Sequence, residues 1–289
     1  MLFRSCIEKR STLGGTCLNV GCIPSKALLN ASEHFASAAS GRLADIGIGL
    51  GSVTLDLPAM MKSKENIVST LTDGIDFLFK KNKITKLVGT AQITAPGKVS
   101  IIHGKDTGYY EADKIMIATG SHPSSLPGIT IDETRIVSST GALSLGELPK
   151  KLVVIGAGYI GLELGTVWAR LGAEVEVIEY LPRILPGMDG EVANKFMTIA
   201  KKQGLKFRVG TAVKSAKAGK NDVTLKLTPA EGGDEETIIA HIALVSVGRY
   251  PATDGLGLGD VGVTLTPRGR IAVDKYFETS VEDIYAIEI

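Results

Sequence analysis

The feature that most constrains this chain is a strand, a glycine turn, a helix and a second strand within residues 151–180, "KLVVIGAGYIGLELGTVWARLGAEVEVIEY". Gly156, Gly158 and Gly161 form the spacing G-x-G-x-x-G directly after the first strand. Gly156 allows a tight turn, Gly158 lets the backbone approach a pyrophosphate, and Gly161 lets the helix pack closely on the strand. Helix N–H groups would face the phosphates. The pattern predicts a dinucleotide site, and a plain strand-to-helix connection is the alternative.

An acidic residue, Glu179, closes the second strand of this segment, 23 residues after Gly156. A carboxylate at that strand end can accept hydrogen bonds from both ribose hydroxyls of a dinucleotide. The same negative charge would repel a 2′-phosphate. Glu179 therefore favours NAD over NADP.

Composition narrows the functional class. The chain has 289 residues, 44% of them apolar and 22% charged, which is enough for a sizeable core in two domains. Its 32 Lys and Arg against 31 Asp and Glu leave a formal charge of +1, which gives no support to nucleic acid or an anionic membrane as a partner. No apolar run has the length of a membrane span, and the opening "MLFRSCIEKR" lacks the apolar segment of a signal peptide. We therefore expect an intracellular protein.

The order of predicted elements indicates an α/β fold with parallel sheets covered by helices. One helix is predicted over "CIPSKALLNASEHFASAA", with Pro24 at the first helical position and Gly41 after its end. A second is predicted from Leu57 to Lys81 by apolar spacings of three, four and seven. Short strands follow, and the hinge "SLGELPK" marks a domain boundary.

Two cysteines, Cys17 and Cys22, lie in "LGGTCLNVGCIPSK", and three kinds of site are conceivable. A structural zinc site would need a second close pair of ligands. A structural disulfide would close a very short loop and would stabilise the fold little. The remaining Cys and His residues all stand alone in the sequence: Cys6, His34, His103, His122 and His241. The sequence therefore predicts no metal site.

A working dithiol has positive support. Cys22 falls at or just before a predicted helix start, where the helix dipole stabilises a thiolate. Lys26 lies four residues further on, over the same helix face. Cys17 is predicted on a glycine loop, where it is freer to meet a substrate, and Gly14 and Gly15 would let a flat cofactor approach the backbone. Two unequal thiols predict dithiol and disulfide exchange.

The segment "GGTCLNVGCIPSKALL" resembles the redox-active segment of the flavin disulfide reductases and, among them, of the dihydrolipoyl dehydrogenases. "ATGS", "VIGAGYIGLELG", "RILPGMDGE" and "VSVGRYP" fit the same family in the same order, so the resemblance covers essentially the whole chain. Glutathione reductases usually carry Lys-Lys where this chain has Ser25 and Lys26, and they prefer NADP, which Glu179 disfavours.

The resemblance implies FAD and NAD as cofactors and dihydrolipoamide as substrate. Cys17 would exchange with dihydrolipoamide, and Cys22 would form a thiolate-to-flavin charge-transfer pair. Electrons would pass from the dithiol to FAD and on to NAD as hydride. Lys26 and Glu163 would pair near the flavin N5, although the helix dipole alone also accounts for an acid at Glu163.

The resemblance also implies further cofactor contacts. Glu8 closes the strand "SCIE" and would hold the FAD ribose, or it is an exposed strand-end acid. Other residues that would contact FAD are Ala91, Thr119, Gly120 and Ser121. Val213 and Gly248 would contact NAD, but both are as easily explained by packing. Arg249 would reach the nucleotide or cap a strand.

We expect two Rossmann-like domains, an FAD-binding domain over residues 1–146 and an NAD-binding domain over 147–268. A truncated segment over 269–289 would return to the FAD domain. The FAD domain would lack its first strand and glycine turn. The C-terminal dimerisation domain, which carries the family's catalytic His and Glu, would be absent, so no base is assigned.

The family continues through "YAIGD", whereas this chain reads "YAIEI", with Glu288 in place of Gly and Ile289 in place of a flavin-binding Asp. These departures predict a fragment. We expect the isolated chain to bind NAD weakly, to bind FAD poorly and not to turn over dihydrolipoamide.

The parent protein would be a homodimer that acts on lipoyl domains of 2-oxo acid dehydrogenase complexes, or in glycine cleavage. Its compartment would be the mitochondrial matrix or the bacterial cytoplasm. Two alternatives stay open: a non-catalytic nucleotide-binding remnant, and mercuric or another flavin disulfide reductase chemistry.

Overall fold

The computed structural model describes residues 4–287 and divides the chain into two compact units. The unit that we call flanking takes in the chain up to Asn19, then Ser69–His122, then the chain from Arg249 onward. The unit that we call central consists of Val20–Val68 and Pro123–Gly248. The predicted limits of the FAD and NAD domains remain predictions. The departures at Glu288 and Ile289 lie outside the described residues.

The helices are α1 (Gly15–Val20), α2 (Cys22–Ala39), α3 (Leu57–Lys81), α4 (Ser139–Ala142), α5 (Tyr159–Leu171) and α6 (Gly190–Lys202), with a 3₁₀ turn over Arg42–Ile46. The strands of the first half are β1 (Arg4–Glu8), β2 (Ile84–Val88), β3 (Thr90–Ala95), β4 (Lys98–His103), β5 (Gly108–Glu111), β6 (Ile115–Ile117), β7 (Ser121–Pro123) and β8 (Ile136–Val137). Those of the second half are β9 (Lys151–Ile155), β10 (Glu174–Ile178), β11 (Lys206–Arg208), β12 (Thr211–Ala218), β13 (Val223–Pro229), β14 (Glu236–Ala240), β15 (Ile242–Val245), β16 (Arg249–Pro251) and β17 (Ile284–Ala286).

Helix boundaries confirm most of the predicted pattern and correct two details. Helix α3 has the predicted limits. Helix α2 begins at Cys22, so Pro24 is its third residue rather than its first. Proline is tolerated there because the first four N–H groups of a helix have no partner within the helix. We had predicted that Cys17 lies in an open loop, but it lies in the short helix α1.

The central unit is built on a five-stranded parallel sheet in the order β11-β10-β9-β15-β8. Strand β9 shows why the sheet is covered on both faces. Its Leu152 and Val154 belong to one buried apolar cluster with Trp168, whereas Val153 and Ile155 belong to a second cluster. Successive side chains of a strand point to opposite faces, so both faces carry a core, as parallel sheets require. The predicted strand, helix and strand are confirmed as β9, α5 and β10. A three-stranded antiparallel sheet, β12-β13-β14, completes the unit.

The flanking unit holds two parallel strand pairs, β1 with β2 and β6 with β17, and an antiparallel sheet of β3, β4 and β5. Its core gathers around Ile93, Ile117 and Ile284. Within residues 4–287 the two parallel pairs do not join into one sheet. The α/β fold class is confirmed. Across the same residues, no helix combines the length and the apolar character that crossing a membrane requires.

Candidate functional site

The glycine turn of the central unit leaves open backbone at one position only. Gly156 has φ +100°, and a Cβ built there would lie 2.6 Å from the Ser246 carbonyl oxygen. A Cβ on Gly161 would lie 2.4 Å from the Gly156 oxygen. Gly158, the residue that caps helix α5, has φ −75° and no heavy atom within 4 Å of a built Cβ. Gly156 and Gly161 are therefore required by packing, whereas Gly158 faces space that a ligand can enter.

Ser246 supports the turn from the end of strand β15 and was not among the predicted site residues. Its hydroxyl donates to the carbonyl oxygens of Ile155 at 3.0 Å and Gly156 at 3.1 Å. A signal was present, because Ser246 directly follows an apolar strand, and the carboxyl ends of parallel strands meet at one edge of a sheet.

Glu179 lies beside the turn, as predicted. Its Oε2 accepts from the Ala157 N–H at 2.7 Å, and its Oε1 accepts from the Leu181 N–H at 2.9 Å. A carboxylate offers about four acceptor positions, so both oxygens can still accept a hydroxyl. The Ala157 carbonyl in turn accepts from the Leu185 N–H at 3.0 Å. The middle residue of the turn is therefore held from both sides.

A second cluster in the central unit joins the cysteine helix to the dinucleotide helix. Cys22 is an exposed thiol at the first position of α2. One turn later, Lys26 Nζ lies 2.6 Å from Glu163 Oε1 on α5. Ser25, which is 7% exposed, donates its hydroxyl to Glu163 Oε2 at 2.8 Å. The structure brings Lys26 and Glu163 together as predicted, and it adds Ser25 as a third member.

A second ion pair fixes the direction of these two helices. Glu33 of α2 pairs with Arg170 of α5. Each of these residues lies seven positions after its counterpart in the pair of Lys26 with Glu163. Because the partners occur in the same order along both helices, α2 and α5 run parallel. Their N-termini, at Cys22 and Tyr159, therefore lie at the same end of the pair.

In the flanking unit, the segment with Gly14, Gly15 and Cys17 is an ordered turn into α1. Gly14 and Gly15 have φ values of +102° and +58°, and a Cβ on Gly15 would meet nothing within 4 Å. Asn19 Nδ2 donates to the carbonyl oxygens of Leu13 at 3.0 Å and Gly15 at 2.9 Å. Cys17 is exposed on this helix. A Cβ on Gly14 would lie 2.7 Å from the Leu18 side chain. Of the two glycines predicted to admit a flat cofactor, Gly15 has the open space and Gly14 does not.

Glu8 stands at the end of strand β1 and is half-buried. Its Oε1 accepts from the Arg10 N–H at 2.9 Å. The neighbouring thiol, Cys6, is a poor thiolate, because burial raises its pKa and the charge of Glu8 raises it further, while Lys86 offsets part of the effect. Within the described part of the chain, no group of three or more His, Cys, Asp or Glu side chains is placed to hold a metal ion.

In the predicted flavin segment, Ser121 is held by two hydrogen bonds from Arg249. Arg249 Nε donates to Ser121 Oγ at 2.8 Å, and its Nη2 donates to the Ser121 carbonyl at 2.6 Å. Thr119 is exposed, and Gly120 has φ +69° with open space beside it. Next to them, burial lowers the pKa of His122, and the nearby Lys9 and Arg249 lower it further.

Three other predicted contact residues lie in ordinary structural positions. Ala91 is half-buried on strand β3. Val213 of β12 packs against the cluster that contains Leu225, which agrees with the packing alternative. Gly248 is exposed with φ +128°, and its carbonyl accepts from the Ser124 N–H at 2.9 Å.

Comparison with known proteins agrees with these motifs. Residues 5–287 match the family described as pyridine nucleotide-disulphide oxidoreductase. The chain is 52% identical over 285 residues to dihydrolipoyl dehydrogenase 1, mitochondrial, of Arabidopsis thaliana, covering 98% of this chain and 56% of that protein. It is 52% identical over 269 residues to dihydrolipoyl dehydrogenase 3 of Pseudomonas aeruginosa, covering 92% and 57%. Leghemoglobin reductase of Glycine max is 50% identical over 285 residues, covering 98% and 54%.

Among solved structures, the Cu(II) complex of the HOCl-induced flavoprotein disulfide reductase RclA from Escherichia coli is similar, with a TM-score of 0.83 and 26% identity. The match covers 98% of this chain and 59% of that one. The chain thus spans between 54% and 57% of the length of these three curated relatives.

Proposed function

Because the chain belongs to the pyridine nucleotide-disulphide oxidoreductase family, we propose that the protein at its natural length is an NAD-dependent dihydrolipoyl dehydrogenase. The family assignment confirms the resemblance read from the motifs. The family and its relatives use a flavin and a pyridine nucleotide. The proposed reaction oxidises dihydrolipoamide to lipoamide through Cys17 and Cys22, with FAD and NAD as cofactors.

One observation carries this proposal. Within the central unit, helix α2 starts at Cys22, helix α5 starts at the glycine turn, and the two helices run parallel with Glu163 bonded to Ser25 and Lys26. A redox thiol and a dinucleotide turn therefore lie at the same end of one helix pair. This arrangement suits a protein that uses both groups.

The residues present fit both cofactors. Open backbone at Gly158 and the two acceptor oxygens of Glu179 suit the pyrophosphate and the adenosine ribose of NAD. In the flanking unit, open backbone at Gly15 and Gly120 and the strand-end acid Glu8 suit FAD. When bound, FAD supplies the passage of two electrons from a dithiol to NAD as hydride.

The family resemblance suggests the roles of this chain's own residues, and their exposure and helix positions support those roles. Exposed Cys17 exchanges with the substrate, whose two sulfurs join in a disulfide as the Cys17–Cys22 disulfide opens to two thiols. Two electrons and two protons thus move from substrate to protein. On reoxidation, the cysteine pair gives up the same two electrons, which leave as the hydride of NADH, and one proton goes to solvent. Cys22 lies at the first position of α2, the end of a helix that carries partial positive charge, and Lys26, fixed by Glu163, adds a positive charge one turn away.

The proposal extends to partners and location. Dihydrolipoamide would be carried on the lipoyl domains of 2-oxo acid dehydrogenase or glycine cleavage complexes, and the protein would be a homodimer. The names of the relatives, which include mitochondrial and bacterial dihydrolipoyl dehydrogenases, support a place in the mitochondrial matrix or the bacterial cytoplasm.

The proposal is tested with protein expressed at its natural length and loaded with FAD. Dihydrolipoamide and NAD should give NADH, and Cys17→Ser or Cys22→Ser should lower the rate by at least about a thousandfold, because each removes a covalent step. Cys6→Ser serves as the matched control and should leave the rate unchanged. Greater activity with mercuric ion and NADPH than with the lipoamide couple would reject the proposal in favour of mercuric reductase chemistry.

A further inference from the structure

The loop that follows strand β10 is closed by one arginine. Arg183 Nη2 donates to the Leu185 carbonyl at 3.1 Å and also to the Met188 carbonyl. The Met188 N–H donates to the Leu185 carbonyl at 2.9 Å. Between Arg183 and Leu185, the side chain of Ile184 is 2% exposed and belongs to the buried apolar cluster that contains Trp168. The loop is therefore held both by the hydrogen bonds of Arg183 and by the burial of Ile184.

Leu185 takes a backbone conformation that this loop has to enforce. Its φ is +47°, a left-handed value that is unfavourable for a residue with a Cβ. In that conformation its N–H reaches the Ala157 carbonyl at 3.0 Å. The Arg183 bond to the Leu185 carbonyl and the buried Ile184 hold the chain on either side of that N–H.

The Ala157 carbonyl shares a peptide unit with the N–H of Gly158. A trans peptide is planar, and its C=O and N–H point in opposite directions. Because the Leu185 N–H holds the Ala157 carbonyl toward the loop, the Gly158 N–H points away from the loop. Gly158 is the helix cap of α5, and the space beside it is open.

We propose that Arg183 is a positioning residue for the dinucleotide: through Leu185 it locks the Ala157–Gly158 peptide so that the Gly158 N–H donates to the pyrophosphate. This inference rests on the proposed NAD site. Without the lock, the peptide can rotate and present the Ala157 carbonyl to the phosphate, which would repel it.

One nitrogen of the Arg183 side chain is unpaired, which guides the choice of variants. Arg183 Nε is buried with no hydrogen-bond partner among the residues that the structure describes, and a buried unpaired donor is unfavourable. A single nitrogen, Nη2, makes both carbonyl contacts. Lysine also ends in a single nitrogen, which carries three donors, and it has no Nε. Arg183→Lys should therefore keep the lock, and Arg183→Met, which has no donor, should break it.

The experiment compares two ligands on protein of natural length. ADP-ribose contains the pyrophosphate, whereas adenosine contains only the part that Glu179 would hold. Arg183→Met should weaken ADP-ribose binding by about tenfold, the effect of misdirecting one hydrogen bond to a charged phosphate, and should leave adenosine binding unchanged. Arg183→Lys should bind both like the wild type. Arg42→Met is the matched control, because Arg42 bonds Ser37 and Ser40 rather than this loop.

A second readout needs no ligand. Hydrogen exchange at the Leu185 N–H should become at least about tenfold faster in Arg183→Met and should stay unchanged in Arg42→Met, since exchange follows local opening. Equal ADP-ribose affinity of wild type and Arg183→Met, or an equal loss for adenosine, would overturn the lock while leaving the NAD site intact. Failure of the wild-type protein to bind ADP-ribose would overturn the NAD site itself and the lock with it.

Discussion

Lys26 Nζ lies 2.6 Å from Glu163 Oε1, although the two residues are 137 positions apart in the chain. The Lys26 side chain is 60% exposed and that of Glu163 is 30% exposed. An ion pair with this exposure stabilises a fold by about 1 kcal/mol or less. Stability is therefore a poor explanation for the pair, whereas its position one turn from Cys22 suits a role in redox chemistry.

Lys26→Met separates these two explanations. We expect it to lower the free energy of unfolding by less than about 1 kcal/mol, because the pair is exposed, and to lower the rate of NADH formation by at least about tenfold, because it removes the charge beside Cys22. Urea unfolding and steady-state kinetics measure the two effects.

The matched control is Arg170→Met, on the second ion pair of the same helices. Arg170 is 18% exposed and also donates to the Leu29 carbonyl at 3.4 Å. Its loss should lower stability more than the loss of Lys26 and should leave the rate per folded molecule unchanged. An unchanged rate in Lys26→Met would contradict the role given to the pair.

The second and third glycines of the G-x-G-x-x-G motif should respond in opposite ways to alanine. Gly161→Ala places a Cβ 2.4 Å from the Gly156 oxygen, and such overpacking should lower stability by about 1–3 kcal/mol. Gly158→Ala meets no atom within 4 Å at φ −75°, so stability should be unchanged or raised by about 0.4–1 kcal/mol. The new methyl group occupies the open space, however, and NADH affinity should fall by at least about tenfold. Unfolding curves and NADH titration give both quantities. Unweakened NADH binding by Gly158→Ala would show that the dinucleotide does not approach this glycine.

Glu179→Gln tests the preference between the two nicotinamide cofactors. The amide keeps one acceptor oxygen but loses the negative charge that would repel a 2′-phosphate. We expect the association constant for NADH, divided by that for NADPH, to fall by about tenfold. Titration with each cofactor measures both constants. Glu174→Gln removes the same charge from the other end of strand β10, where Glu174 pairs with Lys206, and it should leave the ratio unchanged. Tighter binding of NADPH than NADH by the wild type would overturn the assignment.

Asp132 gives a prediction for pH. Burial raises the pKa of this carboxyl, but hydrogen bonds from the backbone N–H groups of Thr134, Arg135 and Ile136 outweigh burial, and the pKa ends below its ordinary value. Its charged form therefore stabilises the fold above about pH 4, the pKa expected in the unfolded chain, and this stabilisation is lost as the pH falls through the lower folded value. Asp132→Asn keeps an acceptor oxygen without the charge. At pH 6 this variant should have a lower free energy of unfolding than the wild type, and the difference should shrink in acid. Urea unfolding of both proteins at roughly four pH values would measure it. A deficit that stays constant across the range would contradict the effect.

Sequence patterns predicted the elements that depend on periodicity and glycine spacing. The limits of α3 and the unit of β9, α5 and β10 were predicted because their signals are local. The pair of Lys26 with Glu163 was expected only through family resemblance. Helix α1 was missed, because its six residues are too few to show a helical period.

Other features depend on tertiary contacts that no local pattern carries. The buried hydroxyl of Ser25 and the bonds of Ser246 to the glycine turn join segments far apart in the chain. The left-handed φ of Leu185 breaks the usual rule for residues with a Cβ, and only the contacts of Arg183 make it intelligible.

The central claim is that Cys17 and Cys22 form a dithiol working with a flavin. The most direct measurement adds dihydrolipoamide, without air, to FAD-loaded protein of natural length and records long-wavelength absorbance. The account predicts a new band in the wild type, the same band in Cys17→Ser without any reductant, and none in Cys22→Ser, because the family resemblance assigns the thiolate-to-flavin pair to Cys22. A band that survives in Cys22→Ser, or no band in any of the three proteins, would contradict it.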